Sequence, residues 1–248
     1  GCPARGRGRA VTKRVASLMA GIADVGRDPV RGGYSRPVYS TAELDLRSWF
    51  VAEAAARGLE VEIDRNGVIW AWWDVASGDR TGALVTGSHL DSVPGGGAFD
   101  GPLGVASALA AIDLLRERGA RPDRAVAIAV FPEEEGSRYG VACLGSRILT
   151  GAIPIERALA LKDDDGSTFA ERSRSAGVDP SRMGPDPERL ALIGAFVELH
   201  VEQGRGLADL GHPVAIGSSI LGHGRWRLSF TGQGNHAGTT LMRDRRDP

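Results

Sequence analysis

Residues 83–119 read ALVTGSHLDSVPGGGAFDGPLGVASALAAIDLLRERG, and this stretch decides the fold class. It opens with ALVTG (83–87), a short, largely apolar run between turn residues, as expected of a buried strand. A glycine-rich loop follows, from Ser88 to Gly101. Pro102 suits the first turn of a helix, where its missing N–H costs nothing. The apolar residues from Leu103 to Leu115 recur at helical spacing, and Gly119 is a natural stop. The next apolar run, AVAIAVF (125–131), supplies a second buried strand. Strand, helix and strand in this order predict an α/β domain with parallel pairing.

The flanks extend the pattern. Ser40-Thr41-Ala42-Glu43 has the spacing of a capping box, and the helix it opens runs through LDLRSWFVAEAAARG (44–58) to Gly58. LEVEID (59–64) alternates as a half-buried strand does, Asn66-Gly67 is a hairpin signal, and VIWAWW (68–73) returns as the partner strand, its tryptophans packing on the sheet. Downstream, 162–190 is polar, starting KDDDGST, and reads as surface loop and short helix. GAFVELH (194–200) is a further buried strand, and RWRLSFTG (225–232), after a glycine-rich stretch, reads as an antiparallel strand opening a new unit. The expected layout is a leader and first helix over 1–29, an α/β domain with a mixed, mainly parallel sheet over 30–217, and the start of a smaller α/β domain over 218–248.

Bulk properties narrow the classes. A net charge of −1 over 248 residues provides no field to recruit nucleic acid or an anionic membrane surface. No apolar run approaches the roughly 18 residues needed to span a bilayer. Two cysteines, Cys2 and Cys143, cannot make a disulfide framework, and a reducing cytoplasm is the expected setting. Cys143 reads as a packed core residue, and His212 and His223 as loop residues.

The polar residues concentrate at one end of the strands. His89 and Asp91 follow ALVTG, Asp100 lies later in the same loop, Glu134 and Glu135 follow AVAIAVF, and His200 ends GAFVELH. In α/β sheets ligands bind beyond the carboxyl ends of strands. Two imidazoles among carboxylates suit Zn or Mn, and Co or Ni as well. A pair of such ions about 3.5–4 Å apart needs a bridging carboxylate. Asp100 is the candidate, because GGGAFDG can fold it back over the site, although a helix N-cap is the plainer role for an Asp there. Asp91 can hold the second ring nitrogen of His89. Of Glu134 and Glu135, one can bind metal while the other moves protons.

GSHLDSVPGGGAFDGPLGV (87–105), FPEEEGSRYG (131–140), ELHVEQG (198–204) and GNHAGTT (234–240) together resemble the motif set of the hydantoinase/carbamoylase amidases, within the M20 metallopeptidase superfamily. The resemblance implies two divalent metal ions per subunit. His89, Asp100 and His200 would bind one; Asp100 and Glu135 would bind the other. Glu134 would be the general base and acid, Gln203 would touch substrate, and His236 would stabilise the oxyanion from a lid or dimerisation domain. It further implies a homodimer and hydrolysis of a linear amide or ureido C–N bond in a small carboxylate such as an N-carbamoyl-L-amino acid, allantoate or 3-ureidopropionate. The family's additional metal-binding His, and the Asn and Arg that hold the substrate carboxylate, have no counterpart in these motifs, so the chain reads as the N-terminal part of a longer protein. The alternatives are an M20 metallo-exopeptidase or deacylase and an inactive truncated remnant.

Overall fold

The computed structural model describes residues 4–220, 222 and 228–248, with side chains described from Thr12 onward. The chain forms two compact units, Gly1–Gln203 and Gly204–Pro248.

The first unit is built on a five-stranded sheet in the order β1-β2-β4-β3-β5. Its strands are β1 (Glu60–Ile63), β2 (Ile69–Trp73), β3 (Ala83–His89), β4 (Val126–Phe131) and β5 (Ile193–Val197). β3 pairs in parallel with both β4 and β5, whereas β2 runs antiparallel to β1 and β4. The sheet is therefore mixed, as expected, with every strand but β2 pointing the same way. Three longer helices, α1 (Ala4–Gly21), α2 (Thr41–Ala56) and α3 (Pro102–Glu117), cover one face. There Leu46, Phe50, Leu109 and Ile112 pack on Ile69, Ala71, Ile128 and Val130. The opposite face carries Trp70, Trp72, Val85 and Ala127 against Leu149 of α4 (Leu144–Thr150) and Leu190 of α7 (Pro187–Ala191). Period-two alternation along β2 thus sends Ile69, Ala71 and Trp73 to one layer and Trp70 and Trp72 to the other. Trp70 and Trp72 stack at 5.8 Å, and their indole N–H groups donate to Asp64 and Glu62. They are core residues and not a binding platform.

Local signals translate into observed caps with small differences. Ser40 accepts from the Glu43 N–H as a helix N-cap, but the Glu43 carboxylate reaches back to the N–H of Tyr39 instead of Ser40. Gly58, at φ +61, closes α2 with Gly58 N–H to Ala55 O and Leu59 N–H to Ala54 O. The β1–β2 turn is organised by Asp64, whose Oδ1 accepts from the N–H groups of Asn66 and Val68. After α5 (Ile155–Ala160), the polar stretch 162–190 does form short helix, α6 (Phe169–Ser175), a 3-10 turn at Pro180–Arg182 and the start of α7. These are not wholly superficial: Phe169, Val178 and Met183 join Tyr39, Tyr139 and Ile148 in a core of their own.

Two expectations need correction. β5 forms where a strand was expected but is not buried: Phe196 is 44% and Val197 59% exposed. Among the described residues it is the outer strand of the sheet, paired only with β3. An apolar run reports a preference for burial, and the sheet order decides whether burial is available. In the second unit, Leu228–Gly232 form no strand. Leu228 and Phe230 are about three-quarters exposed (76% and 75%), so no packing surface supports pairing there. The rest of the expected strand, residues 225–227, and His223 lie outside the described residues. The second unit contains α8 (Gly206–Leu210), a 3-10 turn at Met242–Asp244 and a bridge between Gln233 and Arg246. Among the described residues no helix is long and apolar enough to cross a membrane.

Candidate metal centre

The parallel strands β4, β3 and β5 all end on the same side of the sheet, and their continuations converge. Among these three, β3 lies between β4 and β5, which are reached by separate crossovers, and the carboxyl ends of strands so arranged are where α/β sheets place ligand sites. His89 is the last residue of β3 and only 1% exposed. Asp100 returns over it at the end of the glycine-rich loop. The His89 Nε2–Asp100 Oδ1 distance is 3.9 Å, and His200 Nε2 lies 3.3 Å from the same oxygen. The two imidazole rings stack at 5.9 Å with 24° between their planes. One ligand atom from each of His89, Asp100 and His200 falls within 4.8 Å of the others, which is a cluster able to hold a metal ion.

From the other side, Glu134 Oε2 approaches His89 Nε2 to 3.7 Å. Burial and the negative charge of the neighbouring Asp100 carboxylate push the Glu135 carboxyl up from its usual range. Two buried polar atoms in this group have no hydrogen-bond partner: His89 Nε2 and Glu135 Oε1. A buried unpaired acceptor is costly. A divalent cation would satisfy both atoms and offset the crowding of carboxylates, so the donor set fits a metal on physical grounds.

Asp91 is fully buried and close to His89, but in a different way from the one expected. The His89 Nδ1 partner is the backbone carbonyl of Asp91 at 2.9 Å, while the carboxylate oxygen is 3.6 Å away. That carboxylate instead accepts from the N–H groups of Glu134 (3.2 Å) and Glu135 (3.1 Å), tying the two loops together. Burial pushes the Asp91 carboxyl up to about 8. The segment His89–Asp91 therefore does two tasks: a main-chain oxygen fixes the ring, and a side chain fixes the glutamates. Asp100 is not the N-cap of α3; that place is taken by Gly101, with no side-chain cap.

Gln203 ends the first unit in a left-handed conformation, φ +59, with its side chain exposed. His236 belongs to the second unit, where it is exposed and its Nδ1 accepts from the Gly238 N–H at 3.1 Å. His212, in the same unit, is exposed as expected. Cys143 is not a packed core residue. It is half-buried, left-handed at φ 56, and its thiol donates to Glu134 Oε1 at 3.3 Å. Burial and Glu134 push that thiol up to about 11, so it stays a neutral donor. Glu133, whose part the acidic triplet does not reveal, closes its own turn by accepting from the N–H groups of Arg138 and Tyr139. Neither contact has a sequence signature, because both depend on a tight turn that folds 138–143 back on 133–135.

Gly101 has a φ of +84, and a Cβ there would sit 2.6 Å from His89 Cε1 and 2.7 Å from its Nδ1. Gly101→Ala is expected to weaken zinc binding at least tenfold by tilting the His89 ring, and to cost about 1–3 kcal/mol from the unfavourable backbone conformation. Chelator competition and urea unfolding read the two effects. Unaltered zinc affinity would show that the ring does not need this clearance.

Residues 71–160 match the sequence pattern of Peptidase family M28. Over 236 residues the chain is 35% identical to an N-carbamoyl-L-amino acid amidohydrolase of Geobacillus stearothermophilus, covering 95% of this chain and 57% of that protein. It is 33% identical to an allantoate amidohydrolase of Escherichia coli, covering 94% of this chain and 56% of that protein. Among solved structures, a hydantoinase/carbamoylase family amidase from Burkholderia ambifaria superposes with a TM-score of 0.72 at 31% identity, over 94% of this chain and 56% of that one. The chain spans about half the length of the curated relatives it matches.

Proposed function

We propose, from the premise that this chain is homologous to the hydantoinase/carbamoylase family amidases, that it carries most of the metal centre of an amidohydrolase acting on linear ureido or amide C–N bonds. The observation that carries the reading is the convergence of His89, Asp100 and His200 at adjacent strand ends, with His89 Nε2 and Glu135 Oε1 buried and unpaired. His89, Asp100 and His200 would hold one divalent ion, and Asp100 with Glu135 a second, zinc or manganese, with cobalt or nickel compatible with the same donors. When bound, the ions would polarise the substrate carbonyl and acidify water.

The chain's own residues then divide the work. Glu134 takes a proton from the attacking water as the new C–O bond forms, and returns it to the leaving nitrogen as the C–N bond breaks. Asp91 holds the Glu134 and Glu135 backbone in place and, through its carbonyl, the His89 ring. His236, from the second unit, would donate to the carbonyl oxygen as negative charge grows there. Gln203 would touch the substrate. An N-carbamoyl-L-amino acid would yield the amino acid, ammonia and carbon dioxide, and allantoate and 3-ureidopropionate offer the same ureido group beside a carboxylate. In this reading residues 1–29 are a leader and first helix, 30–217 the catalytic domain and 218–248 the start of a lid or dimerisation domain in a homodimer. The low cysteine content supports a cytoplasmic setting.

The test is metal content together with ammonia release from these substrates, measured on the full-length protein. About two ions per chain and ammonia from one substrate are expected. The match to Peptidase family M28 favours a second reading, hydrolysis of a peptide or acylated amino acid. Metal binding with turnover of those substrates alone would replace the first reading by the second. A metal-free, inert protein would leave only the inactive remnant.

A further inference from the structure

We propose that Glu198 is a positioning residue for the metal centre, its carboxylate gripped by Ser88 so that His200 is held in register with His89. The inference rests on the metal-centre reading above. His200 poses a structural problem: β3 and β5 stop pairing at Thr86–Val197, and His200 lies beyond that last pair on a segment with no ladder bonds. It is also 38% exposed, in contrast to His89 at 1%. A short irregular segment at a sheet edge does not by itself hold an imidazole to within a few tenths of an ångström.

Two contacts supply the missing constraint. Ser88 Oγ donates to Glu198 Oε1 at 2.6 Å, just past the point where the ladder ends. Ser88 directly precedes His89, and Glu198 is separated from His200 by Leu199 alone, so this bond joins the two histidine-bearing segments immediately before their imidazoles. The first turn of α3 closes the arrangement from the other side. A Cβ on Gly104 would lie 2.6 Å from the Leu199 carbonyl and 2.8 Å from Ser88 Cβ, so the helix backbone lies close against Ser88 and against the residue that joins Glu198 to His200. Ser88 is 2% exposed, and without Glu198 its hydroxyl would lose its acceptor. A carboxylate acceptor makes the bond charge-assisted and short. Glu198 is not among the residues whose ligand atoms cluster, so its part is to place His200 and not to bind metal.

The experiment titrates the metal-stripped full-length protein with Zn²⁺ against a chromophoric chelator, for wild type, Ser88→Ala, Glu198→Ala, Glu198→Gln and the double Ser88→Ala/Glu198→Ala. Thermal midpoints of the metal-free forms are read alongside. Each single alanine variant is expected to weaken zinc binding about tenfold, the lower end of what loss of an outer hydrogen bond does to a metal site. The double variant should be no weaker than the worse single, because both remove one bond. Glu198→Gln should keep most of the affinity, since its amide oxygen accepts the same bond. Midpoints should barely move for Ser88→Ala and Glu198→Gln, and should fall by only about a few degrees for Glu198→Ala, which leaves the buried Ser88 hydroxyl without its acceptor. Alanine variants that bind zinc as wild type does, or losses that multiply in the double, overturn the positioning role while leaving the metal centre standing. Wild type that binds no zinc overturns both. Should Glu198→Ala not fold, Ser88→Ala compared with Glu198→Gln still decides: equal affinities overturn the proposal.

Discussion

Glu134→Gln is expected to keep its metal and lose about 10²–10⁴-fold in kcat, the range that a lost general base or acid commonly covers. Glu134 has one carboxylate oxygen 3.7 Å from His89 Nε2 and the other 3.3 Å from the Cys143 thiol, and its side chain is 39% exposed at the mouth of the cluster. That suits a group that must reach both water and substrate. Glu135 is the reverse: half-buried beside the Asp100 carboxylate, with a buried oxygen that has no partner. Glutamine preserves the size of Glu134 and its capacity to accept from Cys143, so folding and metal content should survive while proton transfer fails. Metal analysis beside steady-state rates is the check. Loss of metal in Glu134→Gln, with metal retained in Glu135→Gln, would exchange the two roles.

Asp100→Ala is expected to take the metal content from about two ions per chain to near none. One Asp100 oxygen lies 3.3 Å from His200 Nε2 and 3.9 Å from His89 Nε2, and the carboxylate also meets Glu135. In the proposed assignment it is the group common to both donor sets, and neither set would be complete without it. The control comes from the fold: α3 is capped at Gly101 without help from the Asp100 side chain. The metal-free variant should accordingly unfold at nearly the wild-type temperature. Two ions retained per chain would sink the bridging assignment. A large fall in the metal-free midpoint would mean that Asp100 is structural first.

Much of this arrangement is legible in the sequence, and the reasons are local. A buried strand, a glycine-rich loop and a helix leave plain composition signatures, and so does the Ser40 cap, which the structure reproduces with the Glu43 N–H. The clustering of His89, Asp100 and His200 is also legible, because the polar residues all follow apolar runs and parallel strands bring such ends together. Other features are not. Asp91 is close to His89 as its spacing requires, yet it is the carbonyl that faces the ring and the carboxylate that takes the N–H groups of Glu134 and Glu135. Spacing sets which residues can meet, but which oxygen points where follows from the path of a second loop.

The sequence by itself determined the alternation of strand and helix, the residue types at the strand ends and the glycines that let them approach, since each rests on short-range sterics and periodicity. The tertiary structure alone decided that β5 is an exposed edge, that Cys143 folds onto Glu134 and that Ser88 grips Glu198. Each of these joins residues brought together by a turn or a crossover. Such contacts follow from strand order and the packing of α3 and α4, which no local pattern encodes.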